Sequence, residues 1–287
     1  MQTTRRAVVS TLATGAGVGG VVGSTGCLGA PTRTSVSVLA AGSLARAVEE
    51  RLRPAVDAPL DTEFRGSAVC ARLVRDGLRD PDVLVLADPV LFGGLAERYT
   101  AFATNEVVVA YHPDTAGGRA VRDAECPFDP LLDRDFRWGR TDPDADPLGY
   151  RTLFALRLAE QRWGRPYPDA LAPGQLFPEA ELLAVFETGE LDAAVVYRNM
   201  AVDHGVPFRS LPPAVNLGSP AHADAYAGES YELPDGTVVR GAPIRYGAVA
   251  RRSDPAVASV FETVVDAEWA GDALAVPASY PSEERLG

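Results

Sequence analysis

Four short segments set small polar residues or glycine directly ahead of a helical pattern: Gly42-Ser43, Gly66-Ser67, Asp146-Pro147-Leu148-Gly149 and Tyr197-Arg198-Asn199. A helix N-terminus carries unpaired backbone N–H groups and about half a unit of positive charge from its dipole. Several of them facing one cleft would hold an oxyanion without any cationic side chain. The Ser43 and Ser67 hydroxyls would add donors that can still turn. Taken singly, each segment has a plainer reading. A serine ahead of a helix is a good N-cap, Asp146 is a cap with proline at the first helical position, and Tyr197 at a strand end packs as readily as it binds. Only the joint pattern points to an anion.

The run "DPDADP" complicates that picture, because it places Asp142, Asp144 and Asp146 at the same turn. Alternating acids resemble the start of a calcium loop, but the glycine and distal glutamate of such a loop are missing. Asp142 and Asp144 therefore read as solvent-facing charges, and Asp146 alone as a site residue. The histidines, His112, His204 and His222, have no metal-motif spacing, and the chain has no GxSxG elbow and no P-loop. The sequence thus gives no reason to expect an enzyme, a bound metal cation or a cofactor.

The elements that must hold these turns alternate in the manner of an α/β domain with a mostly parallel sheet. Val36–Leu39 reads as a strand and is followed by a helix facing inward through Leu44, Val48 and Leu52. A second helix carries Val69, Leu73 and Leu78, and 82–86 and 106–111 are buried strands. The rhythm then restarts with a helix from "DPLGYR" to Trp163, a helix over 179–188, a strand over 191–197 and a helix over 198–204 closed by Gly205. In the tail, an Asp235-Gly236 turn predicts a hairpin, 244–250 reads as a strand and 255–269 as a helix. The simplest arrangement returns this tail to the first half. Lobe 1 is then 36–105 with 210–287 and lobe 2 is 106–209, joined by two crossovers near 104–107 and 207–212.

Residues 1–27 are not part of the fold. Arg5-Arg6, an apolar glycine-broken run from Ala7 to Val22 and Gly23-Ser-Thr-Gly-Cys27 read as a twin-arginine export signal ending at a lipid-attachment cysteine. The alternative is an uncleaved N-terminal anchor, although the run falls short of the roughly 20 apolar residues a span needs. Residues 28–35 form a tether. Beyond Cys27 only Cys70 and Cys126 remain, so a single disulfide is possible but a disulfide framework is not. Formal net charge is −12, dispersed along the chain, and so acidic a surface disfavours nucleic acid. Lysine is absent, Ile244 is the single isoleucine, and alanine, valine and aspartate abound, a bias that suits a salt-rich medium. At molar salt the Debye length is about 3 Å, so an anion site must work by contact.

Six segments resemble the tungstate/molybdate-binding proteins of archaeal ABC importers, and more distantly the bacterial molybdate-binding proteins. They are "VLAAGSLARAVEE", "RGSAVCARLVRDGLRDPDVLVLAD", "FATNEVVVAYHP", "DPDADPLGYRTLFALRLAE", "ELLAVFETGELDAAVVYRNMAVDHGVPFRSLPPAVNLG" and "GAPIRYGAVA", in family order and covering most of 36–250. The resemblance implies a two-lobed, type II periplasmic-binding-protein-like α/β fold with a hinged cleft. It implies a monomeric extracellular component that captures tungstate or molybdate and delivers it to a membrane permease, with no cofactor besides that ligand.

Ser43 and Ser67, with Gly42 and Gly66 beside them, match the family's oxyanion-holding turns. Asp146 matches an aspartate that approaches the metal centre of the bound oxoanion in the archaeal branch. That branch's second carboxylate falls at Val195-Val196-Tyr197, where Val196 has none to offer. The backbone N–H near Val196 and the Tyr197 hydroxyl would take its place, as in the bacterial branch. The segment between "GYR" and "VVY" is shorter than in the archaeal proteins, and its acids Glu181, Glu187 and Glu190 read as solvated. Sulfate, then phosphate, is the alternative ligand. Further alternatives are a lipoprotein for another solute or a partner protein and, more remotely, a metal-dependent enzyme.

Overall fold

A computed structural model describes residues 35–172 and 175–286; the export signal, Cys27 and nearly all of the tether lie outside the described residues. From β1 (Val36–Ala41) the chain turns into α1 (42–55), which opens with a 3₁₀ turn, Gly42–Leu44, and contains a π turn, Val48–Leu52. There follow β2 (Leu60–Arg65), α2 (Ser67–Arg75), β3 (Val83–Leu86) and β4 (Arg98–Thr104). The second stretch holds β5 (Val107–Tyr111), α3 (Ala116–Asp123), β6 (Trp138–Gly139), α4 (Pro147–Trp163), α5 (Glu179–Glu187), β7 (Ala193–Tyr197), α6 (Arg198–His204) and β8 (Phe208–Ser210). The tail adds α7 (Ala223–Tyr226), β9 (Ser230–Glu232), β10 (Val238–Arg240), β11 (Arg245–Ala250), α8 (Pro255–Asp266) and β12 (Ser282–Arg285).

Two principal sheets result. One has six strands in the order β12-β4-β11-β3-β1-β2 and the other four in the order β6-β7-β5-β8. The first sheet is mixed rather than mostly parallel. β1 runs parallel to β2 and β3, but the returning β11 inserts antiparallel between β3 and β4, and β12 pairs antiparallel with β4. The reversal follows from connectivity, since β11 re-enters from the second sheet rather than over a helix. β1 and β3 are nearly continuous apolar runs because both faces are covered, and Val107 to Ala110 of β5 are fully buried for the same reason.

The two sheets are joined by paired segments. The Val107 N–H donates to Asn216 O (2.8 Å) and the Ile244 N–H to Leu217 O (2.8 Å), so the outgoing and returning chains brace one another. Between these passages the tail forms the β9/β10 hairpin on the expected Asp235-Gly236 turn, where Gly236 adopts φ +82°. The hairpin touches both sides. Arg75 pairs with Asp235 near the first sheet, while Tyr231 stacks on Tyr150 of α4, and Gln161 of α4 donates to Glu229 just ahead of β9. Cys70 and Cys126 are buried free thiols.

The sheets also meet directly. The first turn of α2 lies against the loop leading into α4, where the Val69 N–H donates to Ala145 O (3.1 Å). Gly66 makes this possible, since a Cβ there would sit 2.4 Å from Ala145 O and 2.5 Å from Asp146 Cβ. Its backbone (φ −55°, ψ 139°) is open to any residue. Gly66→Ala should therefore leave folding intact while prising this contact open. Native-state hydrogen exchange at the Val69 amide should accelerate about tenfold or more as its partner is lost.

Candidate anion-binding site

The ends of β1, β2, β3 and β7 and the N-termini of α1, α2, α4 and α5 converge on one buried polar cluster. Ser43 sits in the first turn of α1, and its hydroxyl shares a hydrogen bond with the Tyr246 hydroxyl of β11 (3.0 Å). Asn199 Nδ2 donates to Ser43 O (2.7 Å), and Asn105 Nδ2 donates to Asn199 Oδ1 (2.7 Å) and to the Tyr246 hydroxyl (3.2 Å). Ser43 is thus held from two elements, β11 and α6, which Asn105 ties together. Ser67 is the first residue of α2, not its cap, and its hydroxyl accepts from the Ala87 N–H (3.0 Å). That bond leaves the Ser67 proton free to donate elsewhere.

On the opposite side, Asp146 caps α4. Its Oδ1 accepts from the Gly149 N–H (3.1 Å) and from the Thr141 hydroxyl (2.9 Å). The plain capping role and a place in the cluster turn out to be the same fact. Burial pushes the Asp146 carboxyl up to about 7, against the lowering effect of those bonds. The three aspartates of the run part company, since Asp142 and Asp144 are half-buried rather than solvent-facing. Asp144 accepts from the Tyr231 hydroxyl (2.6 Å), which ties the loop to the hairpin.

Tyr197 ends β7 fully buried, and its hydroxyl accepts from Arg151 Nη1 (2.7 Å). The same nitrogen donates to Ala87 O (2.7 Å), and Arg151 Nη2 pairs with Asp88 Oδ2 (3.0 Å). Burial alone would lower the guanidinium pKa, but Tyr197 and Asp88 more than offset it, so Arg151 stays charged. Val196 lies inside β7 opposite Val108 of β5, its side chain buried. Glu181, Glu187 and Glu190 are exposed, as read from sequence.

Two residues were missed. Arg151 belongs to the quoted "DPLGYR" but drew no role, since a helical arginine usually faces water. Glu179 opens α5 after Pro178, where an acid is unremarkable because it suits the helix dipole. Here it turns inward, only 4% exposed, and both carboxyl oxygens lack a hydrogen-bond partner. The Ser43 N–H and hydroxyl lie near enough to favour its ionised form, yet neither makes a bond of sound geometry. Burial first, and the Asp146 charge second, push the Glu179 carboxyl well above the usual range. Gly42 lies against it, so that a Cβ there would be 2.8 Å from Oε2. A crevice of about 430 Å³, lined by Gly66, Val69, Asp146, Phe177 and Glu179, leads to this pair.

The cluster therefore offers hydroxyl donors, helix N-termini and two buried acids whose carboxyl groups are pushed above the usual carboxylate range, the components for gripping an oxyanion by contact. Among the described residues no group of three or more His, Cys, Asp or Glu is placed to hold a metal ion.

Residues 36–274 match the family described as bacterial extracellular solute-binding protein. A Haloferax volcanii protein provisionally named an ABC transporter molybdenum-binding protein is 47% identical over 98% of this chain and 94% of its own. The molybdate/tungstate-binding protein WtpA of Pyrococcus abyssi is 27% identical over 67% of this chain and 65% of its own. Among solved structures, the periplasmic molybdate-binding protein of Azotobacter vinelandii superposes with a TM-score of 0.56 at 14% identity, covering 84% of this chain and 99% of that one. The sulfate-binding protein SubI of Mycobacterium tuberculosis superposes with a TM-score of 0.55 at 16% identity, covering 85% and 88%. At such identities these two speak to the fold.

The raised Asp146 pKa has a consequence for the empty protein. Its folded value lies above the unfolded value near 4, so its stabilising effect is complete below about pH 4 and is lost as pH rises through about 7. Asp146→Asn keeps the Oδ1 acceptor and removes the titration. Urea unfolding should show the variant more stable than the parent at pH 8, by on the order of 2 to 4 kcal/mol, with the gap closing towards pH 4.

Proposed function

The chain belongs to the bacterial extracellular solute-binding protein family, and from that premise we propose that it captures molybdate or tungstate outside the cell and delivers it to the permease of an ABC importer. The observation that carries the ligand class is the buried cluster of Ser43, Ser67, Asp146 and Tyr197, with no exposed cationic patch needed. Backbone N–H groups at Gly42, Ser43 and Gly66 and the two serine hydroxyls face an anion between two lobes, 36–105 with 210–287 and 106–209. A dianion so held loses little to screening in salt, because it is gripped by contact rather than steered from afar. Names borne by relatives, a molybdenum-binding protein and a molybdate/tungstate-binding protein, support this choice.

Closure of the lobes about the hinge accompanies binding and stabilises the fold by mass action. Capture involves no covalent step and no cofactor; the oxyanion is the cargo. We place the protein at the outer face of the cell membrane, exported by the twin-arginine route, anchored through Cys27 and monomeric, in a salt-rich medium. Hydrogenphosphate is the second reading, since Asp146, with its carboxyl raised to about 7, can accept the ligand's own proton when ionised, whereas an ionised Asp146 would repel fully ionised sulfate.

Calorimetry and thermal melting at high salt, with tungstate, molybdate, phosphate and sulfate in turn, test the assignment. A metal oxoanion at about a hundred times its Kd adds about 2.7 kcal/mol of stability, which raises the Tm by roughly 5 to 10 °C in a domain of this size. Neither heat nor a melting shift with molybdate or tungstate would end the proposal. The paired change Ser43→Ala, Ser67→Ala should weaken binding of the preferred anion by about 10- to 100-fold, since two donors are removed; unchanged affinity would show that the anion sits elsewhere.

A further inference from the structure

Resting on the oxyanion reading above, we infer that Glu179 is a specificity-determining residue of the site, a second buried acid that selects basic oxyanions such as molybdate and tungstate against sulfate. Nothing in the fold requires a carboxyl group there. Glu179 caps no helix, since Pro178 is the N-cap, and it forms no ion pair; an apolar or amide side chain would fill the same space. A polar group buried without a partner destabilises the fold. Its two orphaned oxygens, nine-tenths and more buried, point into the cluster formed by Gly42, Ser43, Asp146 and Tyr246. The missing partner must arrive with the ligand.

The charged and titratable groups around Glu179 decide what that ligand can be. Asp146, with Asp142 behind it, faces Glu179 from the α4 side, Arg151 from α4, Tyr197 from β7, Tyr246 from β11 and Cys70 from α2. Arg151 is committed to Asp88, Ala87 and Tyr197, so it does not neutralise the pair. Two buried carboxyl groups whose charges act on each other do not both ionise, and the pair enters binding with a proton to share. A carboxyl O–H pointing at an anion makes a strong hydrogen bond only where the acceptor oxygen is basic enough to pull on that proton. Molybdate, tungstate and hydrogenphosphate have such oxygens, whereas sulfate is a much weaker base of the same charge and the same four-oxygen shape. Serine hydroxyls and helix N-termini cannot make that distinction, because they donate to all four anions alike.

Glu179→Gln replaces the carboxyl with a neutral amide of the same shape, which donates to any acceptor whatever its basicity. The variant should fold at least as stably as the parent, since it removes a buried acid. Calorimetry of the full folded chain with sodium molybdate and with sodium sulfate should show the molybdate-to-sulfate affinity ratio falling by about tenfold or more in the variant, with sulfate binding strengthened. Repeating the molybdate titration in buffers of different ionisation enthalpy counts the protons exchanged on binding, and that count should change in the variant. A ratio and a proton count equal to those of the parent would overturn the role of Glu179 and leave oxyanion capture standing. Failure of the parent itself to bind molybdate or tungstate would overturn both.

Discussion

Two buried carboxyl groups whose charges act on each other, Asp146 and Glu179, are the constraint around which the rest of the cluster is arranged. One acid is partly satisfied by its own helix and by Thr141; the other lies near the Ser43 N–H and hydroxyl but makes no hydrogen bond of sound geometry. A charge buried in that way is costly enough that the group keeps its proton instead. Bare glycines at positions 42 and 66 follow from the same geometry, since a side chain at either would collide with Glu179 or with the loop at Asp146. The arginine that could quench the pair is diverted to Asp88 and Tyr197. What remains open towards the centre is a set of donors and shared protons, which is the complement of an oxyanion.

The scaffold makes this arrangement possible by drawing on both sheets. Ser43 and Ser67 follow strands of the six-stranded sheet, while Asp146, Glu179 and Tyr197 belong to the part of the chain built around the four-stranded one. The network through Asn105, Asn199 and Tyr246 links the two at the base of the cleft. Asn105 sits between β4 and β5, where the chain first crosses, and Asn199 lies on α6 in the second part. A rotation of one sheet against the other would therefore be felt directly at the carbonyl and hydroxyl of Ser43. This is a physical coupling between the passage segments and the site, made of three buried amide and hydroxyl groups rather than of a rigid core.

Much of this was legible in the sequence because it rests on local rules. Gly-Ser turns after apolar runs, proline after an aspartate cap, and Gly205 closing a helix are written in adjacent residues, and the structure has α6 over Arg198–His204 with Gly205 at φ +65°. The antiparallel half of the first sheet was not legible. β12 carries glutamate and arginine at the sheet edge, β4 mixes arginine and threonine with apolar residues, and the two lie far apart in sequence. Glu179 was hidden for a related reason. An acid in the first turn of a helix satisfies the local rule whether it faces water or the interior, and its inward orientation is set by Gly42, 137 positions away by residue number. Arg151 escaped notice in the same manner, since its counter-charge, Asp88, stands on another element.

The run "DPDADP" shows how one short acidic stretch divides its labour. Asp146 faces the site, and Asp144 fastens the loop by accepting from Tyr231. Asp142 has a third task, visible in its neighbour Arg140. That guanidinium is buried with Nε and Nη1 unbonded, so burial lowers its pKa, and Asp142 and Tyr231 pull it back up. The nearby negative charge lets a buried cation persist beside the loop, and the Arg140 backbone in turn pairs with Gln175 and Phe177, directly ahead of Glu179 (2.8 and 2.9 Å). The acids that look wrong for an anion binder therefore sit beside the residue whose backbone pairs with the segment leading into the second carboxyl group. Local charge in this protein is spent on geometry, and the two acids left facing the cluster are Asp146 and Glu179.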